Sequence, residues 1–105
     1  MKQGEIWWAA VPGAAGHRPV VILTRTDALA RLTNVTVGPL TRTVRQISSE
    51  VVLSPADGVP SICAVSLDNI VTIRKLVLEQ RVTALPASRM EEVFEAIRFA
   101  FNMPR

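Results

Sequence analysis

Two short segments hold the side chains best suited to chemistry. In Gly16-His17-Arg18-Pro19-Val20-Val21, an imidazole and a guanidinium stand side by side where a flexible loop meets an apolar stretch. In Gly38-Pro39-Leu40-Thr41-Arg42-Thr43, an apolar stretch ends in two hydroxyls and a second guanidinium. Rigid elements hold polar groups steady at their ends. A guanidinium presents a planar fork of donors that can grip a phosphate through two parallel hydrogen bonds. A threonine hydroxyl adds one directed donor, and an imidazole titrates near neutral pH. Adjacent strand residues face opposite sides, so His17 and Arg18 share a site only if the chain bends there. Taken alone, Arg18 reads better as a surface charge at a strand start.

Several chemistries are excluded by what the chain lacks. One histidine and one cysteine cannot build a zinc site from those ligands alone. Asp27, Asp57 and Asp68 fall in expected turns without ligand spacing, which argues against a two-metal phosphodiesterase centre. No glycine-rich phosphate loop runs into Lys and Ser or Thr, and no cofactor is called for. A paired-imidazole ribonuclease mechanism fails for want of a second histidine. Cys63 sits in the apolar run Ile62-Cys63-Ala64-Val65 and reads as a buried, inert thiol, which fits a reducing cytoplasm.

The charge balance points toward a polyanion. The net charge is +3 and the isoelectric point is about 10.0. Ten of the twelve basic residues are arginines, with Lys2 and Lys75 the exceptions. Such a surface is a common footprint of nucleic-acid binding, although a GC-rich genome also enriches arginine. RNA cleavage without metal runs through attack of the 2′-hydroxyl on its own phosphorus. It needs a base, an acid, and donors for the charge on the phosphoryl oxygens. Arg18 and Thr41 suit the donor role. Proton transfer stays open, because arginine is ordinarily always protonated and His17 is the only imidazole.

A chain of 105 residues, 49% hydrophobic and 20% charged, suits one domain spanning 1–105. No apolar run reaches the ~18 residues of a membrane helix. Glu5 and the Pro12-Gly13 break argue against a signal peptide, so a cytoplasmic protein used from Met1 is expected. Expected strands are Glu5 to Val11, Pro19 to Thr24, Val35 to Leu40 halted around Pro39, Ser49 to Leu53, Ser61 to Leu67, Ile70 to Ile73 and Val77 to Ala84. Pro12 to Gly16 reads as a flexible loop, Ser54 to Gly58 as a turn, and Asp68-Asn69 as another. Thr26 to Leu32 can hold a helical turn capped by Thr26 or Asp27. Short strands at this spacing suggest a small barrel or sandwich. Near the end, Met90, Val93, Phe94, Ile97, Ala100 and Phe101 follow one helix face, opposite Glu91, Glu92, Glu95 and Arg98. That helix starts either at Pro86 or at Ser88, where Glu91 would complete a capping box.

In order along the chain, the motifs resemble the MazF/PemK family of toxin endoribonucleases. Gly4-Glu5-Ile6-Trp7, Gly16-His17-Arg18-Pro19-Val20-Val21 and Pro39-Leu40-Thr41 match its opening and first two signatures. Val65-Ser66-Leu67-Asp68-Asn69-Ile70 with Thr72, and Arg89-Met90-Glu91-Glu92-Val93, match its later ones. The resemblance implies a mostly β (α+β) fold, a compact antiparallel SH3-like barrel with a C-terminal α-helix, paired into a homodimer. It implies sequence-specific cleavage of single-stranded RNA (messenger, ribosomal or transfer) to a 2′,3′-cyclic phosphate and a 5′-hydroxyl. The family's two central catalytic positions fall on Arg18 and Thr41, and its gate over the RNA groove on Pro12 to His17. A cognate MazE-like antitoxin with an acidic, disordered C-terminal segment is implied as inhibitor. Ser66 stands where many relatives carry asparagine. Leu85 stands where they carry a serine cap, whose role Ser88 would take over one turn later.

Candidate RNA-contacting residues are Trp8, His17, Arg25, Arg42 and Arg45. Two rivals share the fold: a gyrase poison of the CcdB kind and a silent binding module. The first relies on a Trp-Gly-Ile tail, whereas this sequence closes on Phe101-Asn102-Met103-Pro104-Arg105.

Overall fold

Turn-forming residues cut the apolar stretches into seven strands among the residues described by the computed structural model, which are 1–11 and 16–104. They are β1 (Glu5–Ala10), β2 (His17–Ile22), β3 (Asn34–Thr41), β4 (Glu50–Leu53), β5 (Cys63–Ser66), β6 (Val71–Arg74) and β7 (Leu78–Ala84). The short helix α1 (Thr26–Leu29) follows β2, and α2 (Ala87–Ala100) follows β7. These ends differ by one or two residues from the expected ones, which is the usual scatter of element boundaries. Of the expected loop and gate, Gly16 and His17 are described; Pro12 to Ala15 lie outside the described residues.

All pairings are antiparallel, in the order β4-β5-β3-β2-β1-β7, with β6 also paired to β3. With α2 packed against it, this curved sheet is the antiparallel barrel with a C-terminal helix that the sequence leads one to expect. β3 is its hub. One edge pairs with β2 from Val20↔Pro39 to Ile22↔Val37. The other pairs first with β6, as far as Val37↔Val71, and then with β5 from Leu40↔Val65. Pro39 therefore sits inside the strand and does not halt it. On the second edge it falls in the gap between the two partners, where no ladder bond calls for its missing N–H.

Two apolar clusters lie on opposite sides of β2. Val21 joins Ile6, Leu40, Leu53, Val65 and Leu67 in the first, while Val20 and Ile22 join Ala9, Val35, Val37 and Ile73 in the second. Burial on both faces explains the unbroken apolar run there. Each fully buried aliphatic side chain contributes about 1.5–3 kcal/mol of transfer free energy.

Helix α2 covers the first cluster with Met90, Val93 and Ala96 buried and Phe94, Ile97 and Ala100 partly buried. Phe101, expected on that face, is exposed at the helix's end. The N-cap position is Pro86 with no side-chain cap bond, so Ser88 lies inside the first turn and forms no capping box. At α1 the cap position is Arg25, not Thr26 or Asp27. The Thr26 hydroxyl accepts the Gln3 N–H at 3.0 Å instead. A capping box does form at Ser54–Asp57, closing the turn after β4.

Candidate active site

The antiparallel pairing of β2 with β3 sets the start of one strand beside the end of the other. Carried past its last pair, Val20↔Pro39, that register brings Arg18 opposite Thr41. Both line a cavity of about 340 Å³. His17, Arg42 and Thr43 also line it, because the hollow wraps around the strand ends and takes consecutive residues. Gly16 turns the chain into β2 at φ +73°, a conformation that suits glycine. His17 and Arg18 both pair in regular register with β1, at Ala10 and Ala9, and each nonetheless lines the hollow, which opens around the start of the strand. Trp8, paired with Pro19 from β1, forms another side.

The far wall comes from Val59, Pro60, Ser61 and Cys63. β5 carries them there, because Thr41 pairs with Ala64. Cys63 is buried as expected. Burial, reinforced by the charge of Asp57, pushes its thiol up. It stays a neutral part of the wall near pH 7 rather than a nucleophile.

The lining is cationic and hydroxyl-bearing. Arg18 and Arg42 supply the charge, and among the described residues no carboxylate lines it. Among the described residues, no acidic side chain pairs with Arg18 or Arg42. The Thr41 hydroxyl accepts the Thr43 backbone N–H at 3.1 Å. Its acceptor side is thus engaged locally, and its own hydrogen is left to donate into the cavity. Among the described residues, no group of three or more His, Cys, Asp or Glu is placed to hold a metal ion.

Two expected contact residues lie outside the cavity. Arg25 Nε stands 3.3 Å from Asp27 Oδ1 on the exposed surface. The Arg45 backbone N–H donates to Glu50 Oε1 at 2.9 Å. Conversely, sequence reasoning did not single out Val59, Pro60 or Ser61 as lining. The signal available for them was their place between a turn and an apolar run. Only the β3–β5 pairing brings them to Thr41.

A curved sheet whose strand ends gather arginines, a histidine and hydroxyls around a cavity with no carboxylate among its described lining defines a small barrel protein with a basic surface hollow. Similarity makes the class specific. Residues 2–101 match the family model described as the PemK-like, MazF-like toxin of type II toxin-antitoxin system, and the chain belongs to this family. It is 41% identical over 99 residues to "Probable endoribonuclease MazF2" of Mycobacterium tuberculosis, covering 93% of this chain and 95% of that protein. The solved structure "Mycobacterium tuberculosis toxin MazF-mt6" superposes with a TM-score of 0.89 at 38% identity, covering 96% of this chain and 99% of that one. "Endoribonuclease in complex with its cognate antitoxin from Mycobacterial species" shares the fold at a TM-score of 0.87 and 22% identity, covering 100% of this chain and 98% of that one.

Proposed function

We propose that this protein is the toxin of a type II toxin–antitoxin module, a MazF-family endoribonuclease. It cuts single-stranded RNA at a preferred sequence, without a metal, in the cytoplasm and as a homodimer. The observation that carries the reading is that Arg18 and Thr41, near the ends of neighbouring strands β2 and β3, line the same cavity together with Arg42.

The reaction is internal transfer at phosphorus. The 2′-oxygen bonds to phosphorus, the bond to the 5′-oxygen breaks, and a 2′,3′-cyclic phosphate and a 5′-hydroxyl result. Negative charge builds on the phosphoryl oxygens between those states. The Arg18 guanidinium grips them and Thr41 donates one further hydrogen bond, both held by strands that need not reorganise. Removing one such donor typically costs about 10²–10³ in rate. Trp8 offers a surface for a flanking base to stack on, and Arg42 a contact to the next phosphate or base edge. Arg25 and Arg45 would meet RNA only beyond the scissile position.

The inhibitor is a MazE-like antitoxin whose acidic, disordered tail settles over the same cations. Ile62, 63% exposed beside the cavity wall, gives such a tail an apolar anchor. The fold alone does not separate a nuclease from a silent binder. The test uses a single-stranded RNA with excess chelator and the same RNA carrying a 2′-deoxy group at the cut position. Cyclic-phosphate fragments from the first and none from the second are expected. Retention of RNA without fragments, or hydrolysis of the deoxy substrate, overturns the reading.

A further inference from the structure

Glu79 occupies an irregular place in the sheet. β7 pairs with β1 at Trp8↔Gln80 and then at Ala9↔Leu78, so one residue of β7 has no partner between two consecutive residues of β1. That residue is Glu79, the extra residue of a β-bulge. A bulge breaks the strict alternation of faces and re-aims a side chain. Here the Glu79 carboxylate contacts Nδ1 of His17. β1 lies between the strands of the two residues, so the pair bridges across it.

Both side chains are about half exposed. A pair so wet adds little to stability, on the order of 0–1 kcal/mol. What it does fix is orientation. A neutral imidazole carries one N–H, and a carboxylate at Nδ1 draws that hydrogen to itself. Nε2 is then left bare, as an acceptor. His17 lines the cavity with Arg18 and Thr41. Among the described residues, no other side chain lining that cavity is of a type that takes up a proton near neutral pH. The arginines are permanently charged, the hydroxyls are poor bases, and the Cys63 thiol is pushed up by burial.

We propose that Glu79 is a positioning residue, holding His17 with a bare Nε2 so that His17 serves as the base for the attacking 2′-hydroxyl. This rests on the nuclease reading given above. In the step, Nε2 takes the 2′-hydroxyl proton, the oxygen–phosphorus bond forms, and the bond to the 5′-oxygen breaks with its electron pair. The departing oxygen takes a proton from water, and the imidazolium later returns its proton to water. Glu79 exchanges no proton and touches no reacting atom.

His17 is the only histidine, so its ¹⁵N resonances are unambiguous. The neutral ring of the parent protein should carry its proton on Nδ1, and Glu79→Gln should move the population toward Nε2–H. At saturating RNA, Glu79→Gln should lower kcat about tenfold or more while KM stays within about twofold, and Glu79→Asp should restore part of the loss. His17→Asn should lower kcat by about 10²–10⁴, the usual span for a catalytic base. Adding Glu79→Gln to it should cost little more, because the two act as a unit. An Nε2–H ring in the parent overturns the proposal, even if a variant fails to fold. So does parental kcat in Glu79→Gln, or losses that multiply in the double variant. If the parent cleaves RNA and Arg18→Ala does not, such a result sinks the dyad and leaves the nuclease standing. A parent that never cleaves RNA sinks both.

Discussion

Arg89→Met should cost the protein about 3 kcal/mol, although Arg89 lies outside the cavity. Its guanidinium joins three elements. Nε and Nη2 donate to the two oxygens of Asp57, each at 2.9 Å, and Nη2 also reaches the Val52 carbonyl at the end of β4 at 2.9 Å. Nη1 donates to Glu92, one turn along α2. The side chains of Arg89 and Asp57 are 27% and 14% exposed, so the central pair is well shielded from water. Charged hydrogen bonds contribute about 1.5–3 kcal/mol and the carbonyl contact about 1. The Glu92 pair, half exposed, adds only a few tenths. Methionine keeps the apolar stem and loses the donors, hence a figure near 3 kcal/mol and a fall in Tm of roughly 10–15 °C. The Arg89 hydrogen bonds, with help from the Ser54 N–H, hold the Asp57 carboxyl below its usual range. A depressed folded-state value means stabilisation that is complete above the unfolded value near 3.8 and lost as the pH falls through the folded one. Urea titrations of parent and variant at pH 7 and pH 3 should show the gap narrowing in acid, with slopes unchanged. A gap under about 0.5 kcal/mol at pH 7, or one that does not shrink in acid, would refute the clamp.

Three further outcomes concern the cavity. Arg18→Ala should reduce cleavage about 10²–10³-fold at an unchanged Tm, since it removes charge stabilisation without opening the core; single-turnover kinetics beside a melting curve check it. Thr41→Ala should impair cleavage strongly while Thr41→Ser keeps part of it, and equal losses would point to packing of the methyl group. Antitoxin at saturation should abolish both cleavage and RNA binding, with association slowing as salt rises; unchanged RNA affinity in the bound toxin would rule out overlapping sites.

Strands were legible in the sequence because turn residues punctuate them, and α2 because its apolar spacing is helical. Pro39 misled, since a local rule for proline ignores the two-partner geometry of β3. The caps misled for a related reason: Thr26 and Ser88 have the chemistry of caps, but neither occupies a cap position. Arg18 and Thr41 were legible as strand-end polar groups, whereas their place side by side in one cavity depends on a register no local pattern states. The wall from Val59 to Cys63 depends on β5 meeting β3, a pairing between distant parts of the chain. Glu79 was invisible, because a bulge leaves no mark in composition or periodicity.

The sheet order has a consequence for birth on the ribosome. β1 is translated before the other six described strands, yet its outer neighbour β7 comes after all of them. Gly4, just before β1, accepts a hydrogen bond from Leu85 and packs against Met90 of α2. Arg18 and Thr41 are thus translated well before the segments that brace their barrel. Non-local pairing of this sort assembles late. The barrel around the cavity is therefore completed only once β7 and the chain leading into α2 have docked on β1 and Gly4.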